Sequence, residues 1–132
     1  MKRVFAFLVG ALMLAGCATT TSLGTAADRL DSSARRFYQE TYYDRAPRPT
    51  TDDAARLADA ARDFNRAVDR AHSREDLRLS FDRVAERYHD LRRQVDDRDS
   101  RYGEASLAFD RVTEAYLDVD RAMNHSGSAY RP

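Results

Sequence analysis

The side chains that could do chemistry in this chain are scattered. The three histidines, His72, His89 and His125, form no His-Glu-x-x-His motif and no i, i+4 pair of the kind that binds zinc. Glu86 and His89 have the Glu-x-x-His spacing by which helical bundles hold two iron atoms. Such a site needs a second copy of the motif, and the corresponding Glu114 lacks a histidine three residues later. We therefore expect no metal site and no other cofactor.

Acid–base and nucleophilic chemistry have equally weak candidates. The carboxylates are abundant, but their pattern places them on polar faces, away from apolar surroundings that would raise a carboxyl pKa toward a catalytic value. The chain has no glycine-rich phosphate loop and no serine nucleophile elbow. Lys2 is the only lysine, so the remaining chain has no side chain for a Schiff base. We expect that the protein is not an enzyme and has no catalytic residues.

The single cysteine has an informative position. A basic start, Met1-Lys2-Arg3, is followed by an apolar run over residues 4–14 and by the small residues that precede Cys17. This order is typical of a secretory signal peptide. The apolar run is too short for a membrane-spanning helix, which needs about 20 residues. The sequence therefore predicts a cleaved signal over residues 1–16.

The segment Leu14-Ala15-Gly16-Cys17 resembles the lipobox of bacterial lipoproteins, over residues 1–18 of this chain. The resemblance implies cleavage before Cys17, with lipid on its thiol and acylation of its new amino group. Two or more chains hold a protein stably on a membrane. Ala18 stands where an aspartate tends to retain such proteins at the inner membrane, so the resemblance implies the outer membrane, facing the periplasm. The body resembles small helical lipoproteins in general and indicates no narrower family.

The charge balance and the C-terminal residues limit which partners the protein could have. The chain has 22 basic and 22 acidic residues, and loss of the signal leaves 20 against 22, a formal charge of −2 over residues 17–132. This balance and the predicted export argue against nucleic acid as a partner. The major peptidoglycan-linked lipoprotein is attached through a C-terminal lysine, and this chain ends in Arg131-Pro132. We expect no covalent link to the cell wall through lysine.

Apolar residues recur at spacings of three and four along the mature chain, which predicts an all-α fold. The helices are predicted near residues 25–43, 51–72, 74–98 and 100–124. Capping pairs mark three of the starts; they are Thr25 with Asp28, Thr50 with Asp53, and Ser73 with Asp76. The predicted organisation is a signal peptide (1–16), a lipidated cysteine and tether (17–24), a helical bundle (25–124) and a flexible tail (125–132).

Four helices of similar length favour an up-down antiparallel bundle with short loops. One alternative stays open, because the apolar phase of the third helix continues into the fourth and would allow one long helix over 74–124. The bundle predicts a shared layer for Phe64 and Phe81 near the second turn, with Phe37 and Phe109 toward the opposite end. A segment beginning at Phe81 resembles the segment 28 residues later, which we interpret as two helices with the same packing role and not as a duplicated ligand motif.

Tyrosine is the residue type that most favours an interaction role. Tyr38, Tyr42 and Tyr43 cluster at the end of the first predicted helix, and Tyr102 is expected near them. These tyrosines could cap the end of the bundle with their hydroxyl groups exposed to solvent. Alternatively, they form a partner-binding patch, since tyrosine and arginine are enriched in binding hot spots. We expect a structural or protein-interaction module of the envelope. The alternatives are a small-ligand or metal-binding bundle, and a periplasmic stress chaperone with a large apolar concavity.

Overall fold

The chain folds into four α-helices in a computed structural model that describes residues 18–70, 72–96 and 103–128. In chain order they are α1 (Ala18–Tyr43), α2 (Arg48–Asp69), α3 (Arg74–Asp96) and α4 (Gly103–Ser128). α1 packs against both α2 and α4, and α2 packs against α3. The predicted all-α four-helix bundle is confirmed.

Neighbouring helices run antiparallel, which excludes one continuous helix over 74–124. Phe81, early in α3, contacts Tyr116, late in α4, whereas Tyr88 contacts Phe109 nearer the start of α4. Residue numbers thus rise along one helix as they fall along the other. α3 ends at Asp96 and α4 begins at Gly103, and residues 97–102 between them lie outside the described residues.

The predicted phenylalanine layers are both present. The rings of Phe64 and Phe81 lie 5.4 Å apart near the α2–α3 turn. The rings of Phe37 and Phe109 lie 5.2 Å apart toward the other end of the bundle. Each pair joins two antiparallel helices, so the layers fix the register of α2 on α3 and of α1 on α4.

Side-chain size explains how closely the helices approach. Small residues let α1, α2 and α4 come close together; the buried alanines on these helices include Ala27, Ala34, Ala54, Ala58, Ala61, Ala105, Ala108 and Ala115. The buried residues of α3 are larger: Phe81, Val84, Tyr88 and Leu91. α3 and α4 accordingly lie farther apart than the other neighbours, and stacked aromatic rings fill the space between them.

The start of α1 differs from the prediction. The helix begins at Ala18 and not near Thr25, so the predicted tether over residues 18–24 is helical. No proline interrupts this segment, and Leu23 packs against the core, which adds a packing gain to helix formation. Thr25 is therefore an exposed residue inside α1 and not its N-cap. The tail prediction fails in the same way at 125–128, which belong to α4.

The start of α2 also differs. The helix begins at Arg48, with Pro47 as N-cap and Pro49 in its first turn. Proline is tolerated there because its missing N–H is one that the first turn leaves unpaired in any case. Thr50 is buried and its hydroxyl contacts Gln94 of α3, so it does not cap α2.

The start of α3 agrees with the prediction. The backbone N–H of Asp76 donates to Ser73 Oγ at 3.2 Å, and the same hydroxyl donates to Asp76 Oδ2 at 2.8 Å. This is the capping pair that the sequence predicted, and it opens α3 at Arg74.

Candidate functional site

The candidate site lies where α1 ends. Tyr38, Tyr42 and Tyr43, which we call the tyrosine patch, are 37%, 69% and 76% exposed. The rings of Tyr42 and Tyr43 meet edge to face, with centroids 6.2 Å apart. Large aromatic side chains are otherwise buried in the described core, so this exposed cluster is unusual within the molecule. Tyr102, predicted to join the patch, lies outside the described residues.

The backbone beneath the patch is held by short-range hydrogen bonds. Thr41 is buried, and its hydroxyl donates to the carbonyl of Tyr38 at 2.7 Å. The N–H of Ala46 donates back to the carbonyl of Thr41 at 3.0 Å, across Arg45 with its positive φ of 51°. This is the pattern of a helix ending in a left-handed residue, a position that glycine usually occupies.

Asp44 ties this turn to the start of α4. Its Oδ2 accepts a hydrogen bond from the backbone N–H of Ala105 at 3.3 Å. The first N–H groups of a helix lack partners within the helix, and a carboxylate there also interacts favourably with the helix dipole. One side chain therefore caps α4 and fixes the position of Tyr42 and Tyr43 relative to it.

A polar network on α2 and α3 lies at the same end of the bundle. Thr50 Oγ1 donates to Gln94 Oε1 at 3.1 Å, and Gln94 Nε2 donates to Asp53 Oδ2 at 2.6 Å. Asp53, Gln94, Asp90 and Arg93 line an open cleft of about 260 Å³. Arg93 forms an ion pair with Asp90, so each lining side chain already has a partner. The hydrogen bonds that line the cleft thus join α2 to α3.

The predicted chemical candidates remain apart. His72 and His125 are both exposed, and His125 lies in the last turn of α4, just beyond the predicted helix end at residue 124. His72 lies beyond the end of α2, against the prediction, with its Nδ1 3.9 Å from Asp76 Oδ2. His89 is exposed and meets Tyr88 and Tyr116 edge-on. Within the described ranges, no three His, Cys, Asp or Glu side chains are placed to hold a metal ion.

One carboxylate contradicts the prediction that all are exposed. Asp31 is 7% exposed, with its Oδ2 bonded to Arg35 at 3.2 Å and its buried Oδ1 without a hydrogen-bond partner. It lies on the side of α1 that carries Ala27 and Ala34, where small residues allow a close approach by the neighbouring helix.

Sequence reasoning also missed the stacked pair of Tyr88 and Tyr116. Their rings lie 4.2 Å apart, and the Tyr88 hydroxyl donates to Thr113 Oγ1 at 3.1 Å. Burial raises the pKa of Tyr116 above 10.0, and the charges of Asp120 and Asp82 add to the effect. The Phe-x₆-Tyr spacing shared by Phe81 and Phe109 was the available signal, but the sequence did not show that the two copies meet.

A comparison with protein-family models, curated sequences and solved structures finds no match. Among the described helices, none is both long and apolar enough to cross a membrane. The interpretation of the site therefore depends on the residues of this chain alone.

Proposed function

We propose that this protein is a lipid-anchored lipoprotein of the bacterial cell envelope. The observation that carries the proposal is the order of residues 1–17, in which a basic start, an apolar run and two small residues precede the only cysteine. Acyl chains on Cys17 provide a stable membrane anchor. Ala18 after the anchor favours the outer membrane, with the body facing the periplasm.

Its role is structural or involves contact with an envelope protein through the tyrosine patch. Two observations support this. Tyr42 and Tyr43 expose large rings of the type that binding hot spots use, and the turn beneath them is held by Thr41 and Asp44. A surface that is ordered before binding loses less conformational entropy when a partner arrives.

The anchor is tested by Cys17→Ser. Cells that express the wild-type chain should incorporate a labelled fatty acid into it, and the protein should sediment with membranes. The variant should lose the label and appear in the soluble periplasmic fraction. Equal labelling of both chains would refute the anchor, because serine offers no thiol for the lipid.

The patch is tested by crosslinking in intact envelopes. A photoreactive residue at position 42 should capture a discrete partner, and one at the exposed Leu79 on α3 should not. The partner should also be lost on Tyr42→Ala combined with Tyr43→Ala, and kept on Leu79→Ala combined with Leu117→Ala, which removes comparable exposed apolar surface. Identical capture by both double variants would refute the assignment of the patch.

A further inference from the structure

The first turn of α1 constrains where the anchored bundle can lie. Ala18 is the first residue of α1 and directly follows Cys17 in the sequence. From Leu23 onward, the same helix packs against the core. An extended tether over residues 18–24, which the sequence predicted, would have allowed roughly 25 Å of free reach. The helical segment does not provide it.

The antiparallel packing identifies the end of the bundle nearest the anchor. Asp28, in the first half of α1, accepts a hydrogen bond from Asn65 near the end of α2, at 2.9 Å. Arg29 lies 3.9 Å from Asp118 in the second half of α4. The start of α1, the α2–α3 turn and the end of α4 therefore share one end, which we call the anchor end. The tyrosine patch lies at the other end, about 38 Å away along α1 at 1.5 Å per residue.

We propose that the anchor end docks on the membrane surface, against phospholipid headgroups, and that the tyrosine patch is thereby presented away from the bilayer. The inference rests on the proposed lipid anchor at Cys17. The anchor alone does not fix the orientation of the bundle, because a flexible tether would leave it free to turn. The proposed docking does fix that orientation.

The side chains of the anchor end suit headgroup phosphates. Arg66, Arg70, Arg74 and Arg78 are exposed around the α2–α3 turn. None of the ion pairs within 4 Å among the described residues includes Arg66, Arg70 or Arg78. A guanidinium group binds phosphate oxygens with two parallel hydrogen bonds. The neighbouring acids Asp69, Glu75 and Asp76 nearly balance the charge, so these arginines orient an anchored bundle and do not replace its lipid.

The test uses the cysteine content of the chain. Once Cys17 carries lipid on its sulfur, a newly introduced cysteine is the only free thiol. His72→Cys places a fluorophore at the anchor end, and Arg48→Cys places one at the opposite end, where α1 ends and α2 begins; both positions are exposed. The full lipidated protein is reconstituted in vesicles of phosphatidylethanolamine and phosphatidylglycerol whose headgroups carry a short-range quencher.

Quenching should be several-fold stronger at position 72 than at position 48. Insertion of a six-residue Gly-Ser linker between Cys17 and Ala18 should reduce that difference. Arg66→Gln with Arg70→Gln should weaken quenching at position 72, and Arg83→Gln with Arg111→Gln, which removes the same charge away from the turn, should not. If the mass of the chain confirms its lipid but quenching at position 72 is equal to or weaker than at position 48, the proposed docking is overturned and the proposed anchor stands. A chain without lipid would overturn the proposed anchor as well.

Discussion

The ring of Tyr88 stacks on the ring of Tyr116 with centroids 4.2 Å apart and planes inclined by 14°. On either side of this pair, Phe81 stacks on Tyr116 and Phe109 on Tyr88. The 28-residue repeat thus places a Phe-x₆-Tyr set on each of two antiparallel helices, and each phenylalanine meets the tyrosine of the other set. This arrangement supports a packing role for the repeat.

Tyr88→Ala should lower the free energy of unfolding by about 3–5 kcal/mol, the usual effect of removing a buried aromatic side chain. Tyr88 is 1% exposed and bridges α3 and α4. Tyr88→Phe should cost about 1 kcal/mol, since the variant loses only the hydrogen bonds that the hydroxyl group makes with Thr113 and Arg92. Urea unfolding followed by circular dichroism measures both. The matched control, Tyr43→Ala, should stay within about 0.5 kcal/mol of the wild type. A similar loss for the control would contradict the assigned core.

Stability should depend on Tyr116 at alkaline pH. The pKa of Tyr116 is raised in the folded state, so above pH 10 the unfolded chain releases the phenol proton before the folded chain does. This contribution to stability is complete below pH 10 and is lost as the pH rises toward the folded-state pKa. Urea midpoints measured from pH 9 upward should fall more steeply for the wild type than for Tyr116→Phe. Parallel curves would show that Tyr116 is not buried as described.

Gly24→Ala should stabilise the protein by about 0.5–1 kcal/mol, because alanine restricts the unfolded chain and favours a helix. A Cβ at Gly24 would meet no atom within 4 Å. Thr25→Ala should be neutral or slightly stabilising, since Thr25 lies inside α1. The original prediction, with Thr25 as N-cap, requires a loss of about 1 kcal/mol for Thr25→Ala instead. Thermal unfolding of the two variants distinguishes a helical segment over 18–24 from a tether.

Arg45→Gly should raise stability by about 1 kcal/mol, because a residue with a Cβ pays roughly that cost in the left-handed region. Arg45→Ala keeps the Cβ and should change stability little, and Arg45→Val should lower it because a branched Cβ fits that region poorly. The order Gly above Ala above Val in midpoint temperature is the expected outcome. An unchanged or lower midpoint for Arg45→Gly would contradict the strained turn.

Local patterns predicted the parts of the fold that depend on local chemistry. Phe64 and Phe81 lie at similar distances in sequence on either side of the α2–α3 turn, and this symmetry correctly predicted that they share a layer. The capping pair at Ser73 correctly predicted the start of α3. These features involve residues close in sequence or symmetric about a short turn. The capping pairs predicted the wrong starts for α1 and α2. α1 begins earlier because Leu23 packs against the core, and α2 begins earlier because the first turn of a helix tolerates Pro49.

The candidate site needed information that no local pattern holds. Tyr42 and Tyr43 are exposed at the end of α1, and Asp44 beside them caps α4 across 61 residues of sequence. The stack of Tyr88 on Tyr116 likewise depends on α3 and α4 being antiparallel at a separation that their aromatic side chains set. Both relationships follow from the tertiary arrangement, and the sequence showed only their components.

The central claim is that Cys17 carries the membrane anchor, and the intact mass of the mature protein tests it most directly. The account predicts a chain that begins at Cys17 and carries a diacylglyceryl group on sulfur and an acyl chain on the amino group. A chain that begins at Met1, or a free thiol on Cys17 in protein purified from membranes, would contradict the account.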